Sequence, residues 1–224
     1  MIEPERTNLV LWPRASSAHW RPVGTTKITD LALNAFRMLQ GISVANDGQI
    51  WHRAKLSDYS YVAGTTYSAS VWYAGGTANN VRMAILDGSA APITNLALEG
   101  APDSIAAVIS SGGTISNIRN TALDGGIWRL TFSFVTTADA TAAWGVGPGS
   151  TVVGEDVVVL GMQVEMGDAS TGYIDASGSP ASRMADMQSL SATEWYGAAA
   201  GTIGLVAPSE TYQDDALLEL VSAS

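Results

Sequence analysis

VVVLGMQVEMGDASTGYIDASGSPASRMADMQSL, from Val157 to Leu190, is the stretch that decides the fold. Val158, Leu160, Met162, Val164 and Met166 form an apolar row of period two, the pattern of one face of a half-buried strand. Gln163 and Glu165 fall on the opposite face. Gly167 breaks the alternation, and small polar residues follow around Tyr173, Pro180 and Arg183. A half-buried strand running into a long, turn-rich arm predicts the closing element of a β-sandwich.

Other segments agree with that reading. Tyr67, Ala69, Val71 and Tyr73 share one strand face, with Ser68, Ser70 and Trp72 on the other. Ala74-Gly75-Gly76 ends this strand, and Val81, Met83 and Ile85 begin the next, before a turn at Asp87-Gly88. Residues 89–104 read as a loop of small residues, and Ile105–Ile109 and Thr114–Ile118 as two strands around Gly112-Gly113. Asp124-Gly125-Gly126 introduces the strongest strand, Ile127–Val135. There Trp128, Leu130, Phe132 and Phe134 face one way, and Ile127, Arg129, Thr131 and Ser133 the other. Trp128 and Tyr67 read as core residues. Trp144, in a glycine-rich stretch, fits either a loop tip or the last core residue of a strand. Residues 27–40 are loosely periodic, and strand-and-loop suits them better than helix. Near the start, Leu9–Trp12 reads as a short strand stopped by Pro13. Many short strands without a βαβ rhythm predict an all-β protein, a sandwich of two antiparallel sheets.

Composition narrows the function classes. The 224 residues suffice for a sizeable core, and 46% hydrophobic against 14% charged residues argues for a folded protein. A net charge of −10 with 11 basic residues argues against nucleic-acid binding, which needs clustered cations at phosphates. With no cysteine, disulfides, thiolate metal sites and cysteine nucleophiles are excluded. MIEPERTNLVLW carries charges where a signal peptide has its apolar centre, and no apolar stretch approaches the roughly 20 residues of a membrane span.

Three stretches resemble a jelly-roll module of bacteriophage and prophage tail-fibre and surface proteins. The module opens "I-E-x-x-R-T-N-L-L" and reaches a Trp within a short loop. Ile2, Glu3, Arg6, Thr7, Asn8, Leu9 and Trp20 occupy those positions. Its middle "G-W-Y-R-V-S-V-T" is matched around Trp128, Arg129, Leu130 and Thr131. It ends on a Gly-x-Gln-Leu-Glu-like strand and "T-x-Y-I-x-T…R-A-A-D", matched by Gly161, Gln163, Val164, Glu165, Thr171, Tyr173, Ile174, Arg183, Ala185 and Asp186. Met1 lies directly before a motif that many relatives carry deep inside a longer chain, so the chain is the module almost alone or a piece of a longer protein. The resemblance implies a jelly-roll, carbohydrate-binding-module-like sandwich over residues 1–190. Glu194-Trp195-Tyr196-Gly197 and Gly201-Thr202-Ile203 resemble the opening of a lectin-like (LamG or concanavalin-like) second module. Residues 191–224 are too few to complete one, and are expected to form a short C-terminal β extension, hairpin-like, docked on its own or a neighbouring subunit.

No catalytic set emerges. His19 and His52 sit beside Trp20 and Trp51 in loop or strand-edge contexts, where a surface or structural role is the simpler reading. No serine lies in a Gly-x-Ser-x-Gly elbow. Asp87, Asp103, Asp124 and Asp156 fall at turn-like positions, where Asp is ordinary. No cofactor is expected, and no ligand spacing supports a structural calcium ion. Strand parity assembles one constellation: Ser70, Trp72, Arg129, Thr131, Gln163 and Glu165 on the face opposite the core. An aromatic platform with a guanidinium, an amide and a carboxylate is the chemistry of a sugar-binding face. The plainer alternative pairs Arg129 with Glu165 across strands and packs Trp72 under a loop or a neighbouring subunit.

The expected function is therefore a non-enzymatic structural or adhesion protein on the virion of a phage or phage-like particle, as tail fibre, head fibre or decoration. It would present a face to host surface glycans. Other virion proteins are its expected partners, with no nucleic acid or membrane span. The resemblance implies a homo-oligomer, with a trimer among the candidates. The alternatives are a purely structural capsid or tail component without ligand, and the binding module of a polysaccharide-degrading tailspike.

Overall fold

Apolar rows of period two need a facing surface, and in the computed structural model two sheets supply it for each other. The structure describes residues 5–11, 13–14, 19–23, 30–32, 40–47, 53–87 and 94–184. These belong to one compact unit, Glu3–Asp186. The expected extension over residues 191–224 lies outside the described residues, as do Trp12, Trp51, His52 and residues 33–39.

In chain order the strands are β1 (Arg6–Asn8), β2 (Arg21–Val23), β3 (Asp30–Ala32), β4 (Gln40–Ala45), β5 (Arg53–Tyr61), β6 (Thr66–Gly75) and β7 (Val81–Asp87). There follow β8 (Asn95–Gly100), β9 (Ala106–Ser111), β10 (Gly113–Ala122), β11 (Ile127–Thr136), β12 (Ala140–Pro148), β13 (Asp156–Met166) and β14 (Ala181–Arg183). One sheet has the order β10-β11-β6-β13-β4-β3 and the other β2-β5-β12-β7-β8-β9, while β1 and β14 form a separate pair. Successive strands from β4 to β7 alternate between the sheets, as do β11, β12 and β13. The central quartets β4-β13-β6-β11 and β5-β12-β7-β8 are the eight strands of a jelly roll. The fold is thus an all-β, antiparallel jelly-roll sandwich.

Parity fills the space between the sheets. Tyr67, Ala69, Val71, Tyr73, Leu130, Phe132 and Phe134 face inward from the first sheet. Met83, Ile85, Leu96, Leu98, Trp144 and Val146 meet them from the second. Phe134 anchors an aromatic cluster, stacked on Tyr67 at 5.4 Å and met edge-on by Trp144 at 5.4 Å and Tyr61 at 5.9 Å. Trp144, for which the sequence left two readings, lies on β12 opposite Ile85 and Leu56 and is fully buried. Trp128 is half-buried against the same core.

Three expectations need correction. The unbroken alternation Val158–Met166 does not hold: Val159 opposes Tyr73 and Gly161 opposes Trp72, so Leu160 is an extra residue, a β-bulge. Val157, Val159, Met162 and Val164 face the main core. Val158 and Leu160 instead pack on the outer face with Trp72, Ala74 and Ile127. Met166, at the strand end, is 56% exposed. Residues 89–104, read as a loop, contain β8, whose Leu96, Ala97 and Leu98 are buried against β7. Near the start, the regular strand is β1 at Arg6–Asn8, while Leu9 and Pro13, outside any regular strand, bond the backbone of β13. The Leu9 N–H donates to the Val164 carbonyl (2.8 Å) and the Met162 N–H to that of Pro13 (2.9 Å).

Buried tyrosines make the fold sensitive to alkali. Burial pushes the Tyr73 hydroxyl up to about 12, against the opposing pull of a hydrogen bond from Asn120. Tyr61 is raised by burial and by Asp87 nearby. In the unfolded chain these groups ionise near pH 10, so the stability they contribute is complete below that value and falls as pH rises from about 10 towards 12. The urea midpoint is expected to be lower at about pH 11 than at about pH 8, and Tyr73→Phe should reduce the difference.

Candidate functional site

The outward side chains of the first sheet are short or polar where β6, β11 and β13 lie together: Ser68 and Ser70, Arg129 and Ser133, Gln163 and Glu165. Such a surface offers donors and acceptors to a peptide backbone and leaves room for it. The chain's own arm occupies it. Beyond β13 the backbone turns at Gly167, whose φ of +110° suits glycine, and its N–H donates to the Thr66 carbonyl (2.9 Å). Ser133 Oγ donates to the Asp168 carbonyl (2.8 Å) and Ser68 Oγ to that of Ala169 (3.0 Å). Ser170 Oγ returns a bond to the Ala69 carbonyl (3.3 Å). Glu165 accepts from Thr171 twice, from its N–H at 2.9 Å and its hydroxyl at 2.6 Å. Gln163 bonds both ways, Nε2 donating to the Gly172 carbonyl (3.1 Å) and Oε1 accepting the Ile174 N–H (2.6 Å).

The six residues of the expected sugar face are therefore placed as follows. Ser70, Trp72, Gln163 and Glu165 share the outer face as parity predicts, but all four are buried. The Arg129 guanidinium lies 5.0 Å from the centre of the Trp72 ring. It donates to Ser70 Oγ (2.9 Å) and to the Thr171 carbonyl. Tyr173 closes over Trp72 edge-on at 5.1 Å, leaving the indole 1% exposed. Thr131 stands apart from the arm, its hydroxyl donating to the Arg119 carbonyl on β10 (3.3 Å). The expected open platform is corrected to a covered bed, because the arm satisfies the polar groups that a sugar would have met. Nor does the register favour Arg129 with Glu165. Arg129 opposes Trp72 and Glu165 opposes Ser68, four positions along β6, or about 13 Å. Both bond Thr171 instead.

The residues that hold the arm from its other side were not singled out for a role in the sequence. Asn8 is fully buried, its Nδ2 donating to the Ile174 carbonyl (2.7 Å) and its Oδ1 accepting the N–H groups of Val10 (3.1 Å) and Val164 (3.3 Å). Arg14 forks onto Asp175, Nε to Oδ1 at 2.9 Å, with a second contact from its terminal nitrogen to Oδ2. β1 pairs with β14 through Arg6↔Arg183, Thr7↔Ser182 and Asn8↔Ala181. A β-carbon at Gly161 would come 2.7 Å from the Pro13 carbonyl oxygen, so this contact needs glycine there. The only signal in the sequence was the motif itself, since Arg6 to Leu9, Gly161 to Glu165 and Thr171 to Ile174 are the segments that meet.

Elsewhere aspartates serve turns. Asp87 Oδ2 accepts the Thr94 N–H (2.9 Å), and Asp156 Oδ1 accepts the Thr77 N–H (3.0 Å) and hydroxyl (2.8 Å). His19 is exposed. Among the described residues, no group of three or more His, Cys, Asp or Glu side chains stands together as a metal site.

No family model and no curated protein matches the chain. Among solved structures, the chain is similar to the CBM22-1 xylan-binding domain from Paenibacillus barcinonensis Xyn10C. That similarity has a TM-score of 0.45 at 12% identity, over 73% of this chain and 94% of that domain.

Docking of the arm should be visible in hydrogen exchange. The amides of Thr171 and Ile174, bonded to buried side chains, are expected to be protected well beyond those of the neighbouring turn. Gln163→Ala leaves the Gly172 carbonyl and the Ile174 N–H without this partner, and should cost about 1–3 kcal/mol in urea unfolding and release the Ile174 amide. Thr131→Ala, away from the arm, is expected to change stability by no more than about 0.5 kcal/mol.

Proposed function

We propose that this chain is a non-enzymatic structural module of a phage or phage-like particle, and that its polar sheet face serves to fasten its own arm. The observation that carries this reading is the set of side chains, the buried Ser68, Ser133, Gln163 and Glu165 with the half-buried Arg129, that spend hydrogen bonds on residues 168–174. The particle assignment rests on the sequence resemblance at three places. It gains support because resembling positions at the two ends of the module meet, Asn8 and Gln163 at Ile174 and Glu165 at Thr171. In this reading other virion proteins are its partners. β1 and β14 lie side by side, so the module's entry and exit adjoin, an arrangement suited to a bead in a longer assembly.

A glycan-presenting role on this face would require the arm to leave Trp72. The isolated chain is expected to run unretarded in affinity gels containing xylan or bacterial capsular polysaccharides, and to release no reducing sugar from them. Retardation by a polysaccharide that Trp72→Ala abolishes, with the thermal midpoint otherwise explained, would restore the sugar reading. For the particle itself, an antibody against the chain should label the particle band of a density gradient from a producing culture. Recovery only with the free protein would overturn the assignment.

A further inference from the structure

We propose that Arg6 and Arg183, facing each other across the β1–β14 pair, form a binding site for a single oxyanion: a carboxylate, phosphate or sulfate group. Directly opposed residues of an antiparallel pair share a face, with β-carbons about 4.5–5.5 Å apart, and like charges in that relation repel. An anion held between the two guanidiniums removes the repulsion. The other half-buried arginines with known partners spend their charge within the protein. Arg14 meets Asp175, Arg82 meets Glu99, and Arg129 lies on Trp72 and bonds Ser70 and Thr171. The Arg6 side chain makes no hydrogen bond or ion pair among the described residues, although its Nε is buried. Glu5 is its neighbour in the strand and so falls on the other face of the ribbon. Arg183, its Nε also buried, has a contact elsewhere, but a guanidinium carries five N–H donors and can keep that contact while sharing a ligand.

Arg6 is also placed ahead of any ligand. Its Cζ and both terminal nitrogens lie 3.2–3.3 Å from the position a β-carbon would take at Gly167, so the planar group rests flat on that glycine. One flat face is covered, and the in-plane N–H groups remain for a ligand. A fork held in this way loses little freedom on binding and matches the paired oxygens of an oxyanion. Charge limits the size of that ligand. A net charge of −10 repels anions at long range, so an extended polyanion gains nothing from the rest of the surface. A single group within reach of both arginines fits. The site lies on the ribbon and outside the bed of Ser68, Gln163 and Glu165, so it stands or falls independently of the proposed function.

Sulfate, phosphate and acetate are the probes, set against chloride at equal ionic strength, on the full chain. In arginine-selective NMR spectra the Nε–H signals of Arg6 and Arg183, identified by their loss in Arg6→Lys and Arg183→Lys, are expected to shift and saturate with at least one probe while the others stay. The thermal midpoint of wild type should gain at least about 3 °C more from ~50 mM of that probe than the midpoints of Arg6→Gln and Arg6→Lys, since Lys keeps the charge but not the fork. Arg119→Gln, at an exposed position on β10, should respond as wild type does. Sulfate strengthens many folds by exclusion from their surface, so an equal gain in wild type and Arg6→Gln overturns the proposal. Arginine signals that all move together without saturating overturn it too. So does an Arg6 signal indifferent to all three anions, the outcome if a carboxylate of the chain itself, such as Glu3 or Asp186, already holds the pair.

Discussion

Gln163 lies on a sheet face with no access to solvent, and its amide bonds the main chain in both directions, to Gly172 and from Ile174. Leaving such a group unpartnered would cost about 1–3 kcal/mol. The same holds more strongly for Glu165 beside it, a carboxylate at 0% exposure held by the Thr171 N–H and hydroxyl. This constraint organises the region: the polar row of β13 is stable only while a backbone lies across it. The arm must therefore turn back at Gly167, with Asn8 and Arg14 closing beside it.

A sheet covered on both faces has different sequence requirements from one with a wet face. The run Val157-Val158-Val159-Leu160 buries side chains on both sides, Val157 and Val159 in the main core and Val158 and Leu160 under the outer cover. The bulge at Leu160 lets one strand serve both purposes. Before it the outward positions are apolar and meet Trp72, Ala74 and Ile127; after it they are polar and meet the arm backbone. Trp72 stands at the change, with Arg129 on one side and the edge of Tyr173 on another.

That arrangement bears on function. An aromatic ring beside a guanidinium, an amide and a carboxylate is a convincing sugar site in a list of residues, and the same groups suit a peptide backbone equally well. What separates the two is whether the face is open. Here the recognition chemistry is present and its ligand is the protein's own arm, so the jelly-roll architecture by itself assigns no external ligand.

Much of the fold was legible in the sequence because parity is a local property. Tyr67 to Tyr73, Leu130 to Phe134 and the division of Gln163 and Glu165 from Met162 and Val164 all follow from period two. β8 was missed because Asn95–Gly100 is short and its apolar centre, Leu96 to Leu98, shows no alternation. Of the six residues of the candidate face, Thr131 opposes Ser70 yet bonds towards β10, and the other five lie beneath or beside the arm. What the sequence by itself determined was the set of strands and the side of each on which a residue sits, since these depend on neighbours one and two places away. Only the tertiary structure decided that the polar side is covered. Burial there depends on Asn8 meeting Ile174 across 166 residues and on a one-residue bulge, and neither leaves a periodic trace in the chain.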